Sequence, residues 1–214
     1  MKRSGFTLVE LLISISILTL ISAATVFSLR GTRQNEELHT AARLLAGDVR
    51  NVQARALAAR NVLTCDTVGG TRVCEQENPS AEACISPCVQ EPPPKFGLSI
   101  AAGASAYELF ADVDVSEWRR TSDREILLQR ILNPFGSDTI RVDAISTELG
   151  ATASGEIAVE RQNGQMRINA CGEPGQPACA PSEPQSMTIR LRHQDTGKTA
   201  DVEVNAITGR VSVQ

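Results

Sequence analysis

The sequence predicts an α+β protein: one long amino-terminal helix, transmembrane in its first half and amphipathic in its second, packed on an antiparallel β-rich head. Three observations predict it. Residues 11–29 contain no charged side chain, and with residues 6–9 the apolar run is long enough to cross a bilayer as a helix. Beyond that run, apolar residues recur at alternating steps of four and three, the spacing of one helix face. From Val62 onward that spacing gives way to short β-rich runs separated by turn residues.

Each element follows from local chemistry. In the stalk, Leu38, Ala42, Leu45, Val49, Val52, Ala56 and Ala59 fall on one stripe. Arg33, Glu36, Glu37, Arg43, Asp48, Arg50 and Arg55 fall largely off it, as a solvated face requires. No proline precedes Pro79, so one helix can run from Phe6 to about Asn61. Gly31 and Gly47 each weaken it by about 1 kcal/mol relative to alanine, and Gly31 is the expected bend or melting site. In the head, strands are expected over 95–101, 107–113, 125–132, 139–145, 155–160, 165–170, 187–193, 201–206 and 210–213. Met187, Ile189 and Leu191 alternate with Thr188, Arg190 and Arg192, as a half-buried strand does. Asn163-Gly164, between two alternating runs, is the clearest hairpin signal.

Composition narrows the function. The formal charge of −4 and pI near 5.3 offer no general attraction for nucleic acid, and 3% aromatics argue against a stacking surface for bases or sugars. There is no Gly-x-Ser-x-Gly, no phosphate-cradling glycine loop and no His/Glu metal motif. The only two histidines, His39 and His193, suggest no acid–base constellation, so the expectation is a protein that is not an enzyme and carries no cofactor.

The amino terminus is the most informative segment. Lys2 and Arg3 precede the apolar run, which keeps the leader cytoplasmic and sends the rest across the membrane. A plain anchor, or a secretory signal cut after Ser22-Ala23-Ala24, leaves Glu10 unexplained. A carboxylate costs about 2.5–3.5 kcal/mol at the centre of a membrane helix, and less near the interface. Gly5-Phe6-Thr7-Leu8-Val9-Glu10 resembles the class III leader of type IV pilins and pseudopilins. That resemblance implies cleavage between Gly5 and Phe6 by a prepilin peptidase and N-methylation of Phe6. It also implies inner-membrane residence before assembly, and then packing through the helix with other pseudopilins or pilins. Glu10 would pair with the terminal amine of a neighbouring subunit, and its charge suits the positive end of the helix dipole. Losing Lys2 and Arg3 takes the formal charge from −4 to about −6. The organisation implied is a leader at 1–5, a transmembrane or filament-core helix at 6–29, an amphipathic helix at 30–61 and a periplasmic head at 62–214.

The order of helix and many-stranded head, with a closing Gly209-Arg210 turn, resembles the GspH/FimT branch of that superfamily. The branch implies a minor pseudopilin of type II secretion, or alternatively a FimT-like minor type IV pilin in pilus biogenesis or DNA uptake. FimT-like pilins that bind DNA use a Gly-Arg-x-Arg element. Here Gly209-Arg210-Val211 is followed by Ser212, which leaves Arg190, Arg192, Lys198 and Arg210, beside His193, as a weak DNA-contact set. Few phosphate contacts on an acidic chain give little affinity for DNA.

Six cysteines downstream of a membrane segment suggest an oxidising compartment. Cys65, Cys74, Cys84 and Cys88 lie in one loop-rich insert, and Cys171 and Cys179 in another. Zinc is disfavoured, because no C-x2-C pair or neighbouring histidine is present. The expected pairing is Cys65–Cys74, Cys84–Cys88 and Cys171–Cys179, one of many arrangements that six cysteines allow. Asp112-Val113-Asp114-Val115-Ser116-Glu117 has the alternating oxygens of a calcium loop. It lacks the turn glycine and the distal glutamate, and reads as an acidic loop.

Overall fold

A run rich in leucine, alanine and arginine, free of proline, produces helix α1 (Leu8–Leu57). The computed structural model describes residues 8–67, 70–74, 88–112, 126–133, 138–171 and 184–214. The chain divides into two units, Met1–Glu37 and Leu38–Gln214. Gly31 and Gly47 are both helical, so neither ends the element.

In the second unit α1 buries Leu38, Ala42, Leu45, Val49, Val52 and Ala56, as their spacing requires, together with Ala41 and Ala46. Two expectations fail. Ala59 is exposed and lies beyond the helix, which stops at Leu57 rather than near residue 61. Asp48, expected on the solvated face, is buried.

The stop has a local cause. Arg60 N–H donates to the Arg55 carbonyl at 3.1 Å and Ala59 N–H to that of Ala56 at 3.1 Å, the double closure of a Schellman turn. Ala59 sits in it at φ 48°, a left-handed position that usually belongs to glycine. The Cβ penalty of about 1–2 kcal/mol exceeds the unfolded-state entropy of about 0.4–1 kcal/mol that alanine saves. Ala59→Gly should therefore stabilise the protein by roughly 1 kcal/mol, read as a rise in urea midpoint at unchanged slope.

The described residues of the second unit contain thirteen strands: β1 (Val62–Thr67), β2 (Gly70–Val73), β3 (Cys88–Glu91), β4 (Lys95–Ala101), β5 (Ala106–Asp112), β6 (Ile126–Ile131), β7 (Ile140–Thr147), β8 (Gly150–Thr152), β9 (Ser154–Glu160), β10 (Met166–Cys171), β11 (Ser186–His193), β12 (Thr199–Asn205) and β13 (Val211–Val213). They form a three-stranded sheet β2-β1-β3 and two five-stranded sheets, β10-β9-β4-β5-β6 and β13-β12-β11-β7-β8. The pairings are antiparallel. The nine expected strands all form, with ends shifted by at most two residues. β1, β2, β3 and β8 were not foreseen, because runs such as VLTCDT, GTRV and CVQE lack apolar alternation.

One core unites the helix stripe with both five-stranded sheets. Phe96, Leu98 and Ile100 of β4, Ile157 and Val159 of β9, and Met187, Ile189 and Leu191 of β11 are among its fully or nearly fully buried members. The Asn163-Gly164 hairpin joins β9 to β10, with Gly164 at φ 68°. A Cβ there would come within 2.7 Å of Leu57 Cδ2, so the turn needs glycine for its backbone as well as for its contact with the helix end. The closing turn is built alike: Gly209 has φ 65°, and its carbonyl accepts from Gln53 Nε2 at 2.9 Å.

Two carboxylates brace the second five-stranded sheet around β11. Glu148, in the β7–β8 turn, accepts from Ser186 Oγ at 2.6 Å, from Ser186 N–H at 2.9 Å and from Gln185 N–H. These bonds, that from the Ser186 hydroxyl foremost, hold its carboxyl below the usual range. Asp201 is held down in the same way by hydrogen bonds from Arg190. A depressed carboxylate contributes stability above its unfolded value and loses it as pH falls through the folded one. Stability should therefore decline on acidification below about pH 4. Glu148→Gln should flatten that decline in urea melts taken across the acid range.

Candidate functional site

The first unit carries the chemistry suggested by the leader. Gly5 and Phe6 lie outside the described residues. Residues Leu8–Thr25 form a span with mean hydropathy 2.1, long and apolar enough to cross a membrane, and none of it is buried within the chain. Its hydroxyls would be costly in lipid if left to themselves. Each of five is closed onto the helix: Ser14 donates to the Glu10 carbonyl, Ser16 to Leu12, Thr19 to Ser16 and Ser22 to Leu18, all at 2.8 Å, and Thr25 to Ile21 at 2.5 Å. Glu10 stands in the first turn of α1 and is exposed. Its negative charge therefore lies at the helix end where the backbone dipole favours it. What remains is an apolar surface with one carboxylate near its start, chemistry suited to packing against lipid or against other helices.

The second unit holds polar groups that single-residue reading placed wrongly. Asp48 of α1 accepts from the Tyr107 hydroxyl of β5 at 2.5 Å and lies 3.1 Å from Arg130 Nε of β6. Burial, and then the Asp48 carboxylate, push the Tyr107 phenol far above its ordinary range, so it stays a donor. This clamp joins helix and sheet, and helical periodicity alone could not distinguish Asp48 from a surface residue. Beside the last strand, Arg50 donates to the Val211 carbonyl at 2.8 Å.

Lys95 and Asp112 form a second buried pair, Nζ to Oδ2 2.8 Å, with side chains 5% and 1% exposed. The first residue of the calcium-like run is thus engaged with a lysine on the neighbouring strand. Residues 113–117 of that run lie outside the described residues.

The cysteine expectation is corrected. Cys65 pairs with Cys88, not Cys74, so neither the Cys65–Cys74 nor the Cys84–Cys88 bridge forms. The two residues are direct register partners on β1 and β3, strands the sequence did not reveal, which is why loop spacing misled. Cys74 is also disulfide-bonded. The side chains of Cys84, Cys171 and Cys179, and with them the expected Cys171–Cys179 bridge, lie outside those described. Among the described residues no cluster of three metal-ligating side chains occurs.

The basic set gathers around one sheet, where two of its arginines face aspartates. Arg190 makes a two-pronged pair with Asp201, at 2.9 and 2.8 Å, and Arg192 lies 3.2 Å from Asp143. His193 is buried at the end of β11. Lys198 precedes β12, and Arg210 precedes β13 at the closing turn; both are exposed.

With this geometry in view, the family comparison is specific to one segment. The prokaryotic N-terminal methylation motif matches residues 1–26, and this match supports a type IV pilin-like protein. The motif implies processing by a prepilin peptidase and pilin-type assembly, and the apolar helix is compatible with membrane anchoring. It ends well before the head and so does not select a branch. Comparisons with curated proteins and with solved structures return no match.

Proposed function

We propose that the chain is a minor pseudopilin, a structural subunit of the periplasmic pilus-like filament of a type II secretion system, acting in protein export by assembly rather than by catalysis. The observation that carries the assembly reading is an apolar helix with none of residues Leu8–Thr25 buried in its own chain and a carboxylate at Glu10 in its first turn. Prepilin peptidase cleaves between Gly5 and Phe6, and the helix holds the subunit in the inner membrane with the head in the periplasm. On assembly the helix exchanges lipid for helices of other pseudopilins, gaining packing and paired polar groups rather than hydrophobic transfer.

Secretion is favoured over DNA uptake by the acidic partners of Arg190 and Arg192, since a guanidinium already paired with a carboxylate has less to offer a phosphate. The missing second arginine after Arg210 points the same way. The test is a strain lacking this chain. Loss of exported proteins from the medium, with surface pili and transformation intact, supports the secretion role. The opposite pattern transfers the chain to the FimT-like minor pilins, where a DNA mobility shift that weakens steeply with salt would accompany it.

A further inference from the structure

Lys95 opens β4, and its register partners are Asp112 on β5 and Glu160 on β9. Residues directly opposite in an antiparallel sheet project from the same face, so Asp112 and Glu160 flank Lys95 on one face of the sheet. The next row on that face is Gly97, Phe110 and Ala158, all buried. Gly97 makes room for the Phe110 ring, since a Cβ there would lie 2.2 Å from Phe110 Cζ. The 2.8 Å approach of Lys95 Nζ to Asp112 Oδ2 therefore takes place beside an apolar, water-poor layer.

Two opposite charges withdrawn from water lose solvation that their attraction only partly returns. Condensation to an amide removes both charges and with them that cost. Groups held in fixed approach react as if at roughly 10⁵–10⁸ M. We propose that Lys95 and Asp112 condense into an intramolecular isopeptide bond that staples β4 to β5. Asp112 takes a proton from the Lys95 ammonium, and the Nζ lone pair adds to the Asp112 carboxyl carbon. Glu160, in register on the other flank of Lys95, relays a second amine proton to the departing hydroxyl. The carbon–oxygen bond breaks and water leaves. One amine and one acid give one amide and one water, with no oxidant and no further reactant, and the two buried charges disappear.

The experiment weighs the full chain, extracted in detergent, reduced and alkylated, by intact-mass spectrometry. The expected mass is one water below that calculated from the sequence for the amino terminus found in the same spectrum. Trypsin should release a branched peptide joining Lys95 to Asp112. Lys95→Met and Asp112→Ala should each show their full calculated mass, and Glu160→Gln should accumulate the unlinked form. A wild-type chain at full calculated mass, with a tryptic peptide ending at Lys95, overturns the bond whatever the variants do. Complete linkage in Glu160→Gln overturns the relay.

Discussion

In the unlinked Glu160→Gln chain, replacing Lys95 with alanine is expected to destabilise the head by about 3–5 kcal/mol, the cost of removing one partner from a buried ion pair. The magnitude follows from burial. Asp112 is 1% exposed and faces the Lys95 ammonium at 2.8 Å; alanine leaves that carboxylate in place without the cation opposite it. Against a total stability of about 5–15 kcal/mol for an ordinary domain, the loss is large enough to lower the urea midpoint severely or to prevent folding. The double change Lys95→Met with Asp112→Leu removes both charges and should recover most of the loss, as apolar replacements of buried pairs do. Arg33→Ala is the control. Arg33 reaches Glu37 at 3.1 Å but is 77% exposed, and such a pair contributes less than about 0.5 kcal/mol. If Lys95→Ala and Arg33→Ala cost the same, the buried pair does not have the role assigned to it.

Glu10→Ala is expected to leave insertion and leader cleavage intact while reducing incorporation into filament about tenfold or more. A charge-assisted hydrogen bond contributes roughly 1.5–3 kcal/mol, which corresponds to a factor of ten to a hundred or so. In the membrane the change removes a carboxylate that is costly in lipid, so insertion should not suffer. The reading is the ratio of filament-associated to membrane-associated processed chain, measured by shearing and immunoblot. Glu10→Asp should recover part of the signal, because it keeps the charge but shortens the reach. Normal incorporation of Glu10→Ala would remove Glu10 from the setting of axial register. Gly5→Val separates processing from assembly: the Cβ should block cleavage and leave an unshifted precursor on a gel, upstream of any effect at Glu10.

Legibility differed from element to element for physical reasons. The strand Ser186–His193 was visible because one buried face imposes alternation on Met187, Ile189 and Leu191. The Asn163-Gly164 hairpin was visible because only a residue tolerant of positive φ suits its turn. The short strands β1 and β3 were not, since their order comes from pairing with each other and from the Cys65–Cys88 bridge, not from an apolar face of their own. Asp48 looked solvated because helical spacing describes one helix in isolation, whereas its burial depends on Tyr107 and Arg130 arriving from distant strands.

By itself, the sequence determined the processing motif, the apolar first helix with Glu10 in its first turn, and the α+β character of the chain. These are local properties, written in consecutive residues and short periodicities. Only the tertiary structure decided which cysteines meet, that Asp48 and Tyr107 clamp the helix to a sheet, that Arg190 and Arg192 face aspartates, and that Lys95 lies against Asp112. Each of those joins residues far apart in the chain or on different strands, and their partnership is set by strand order and register, which depend on how the whole core closes.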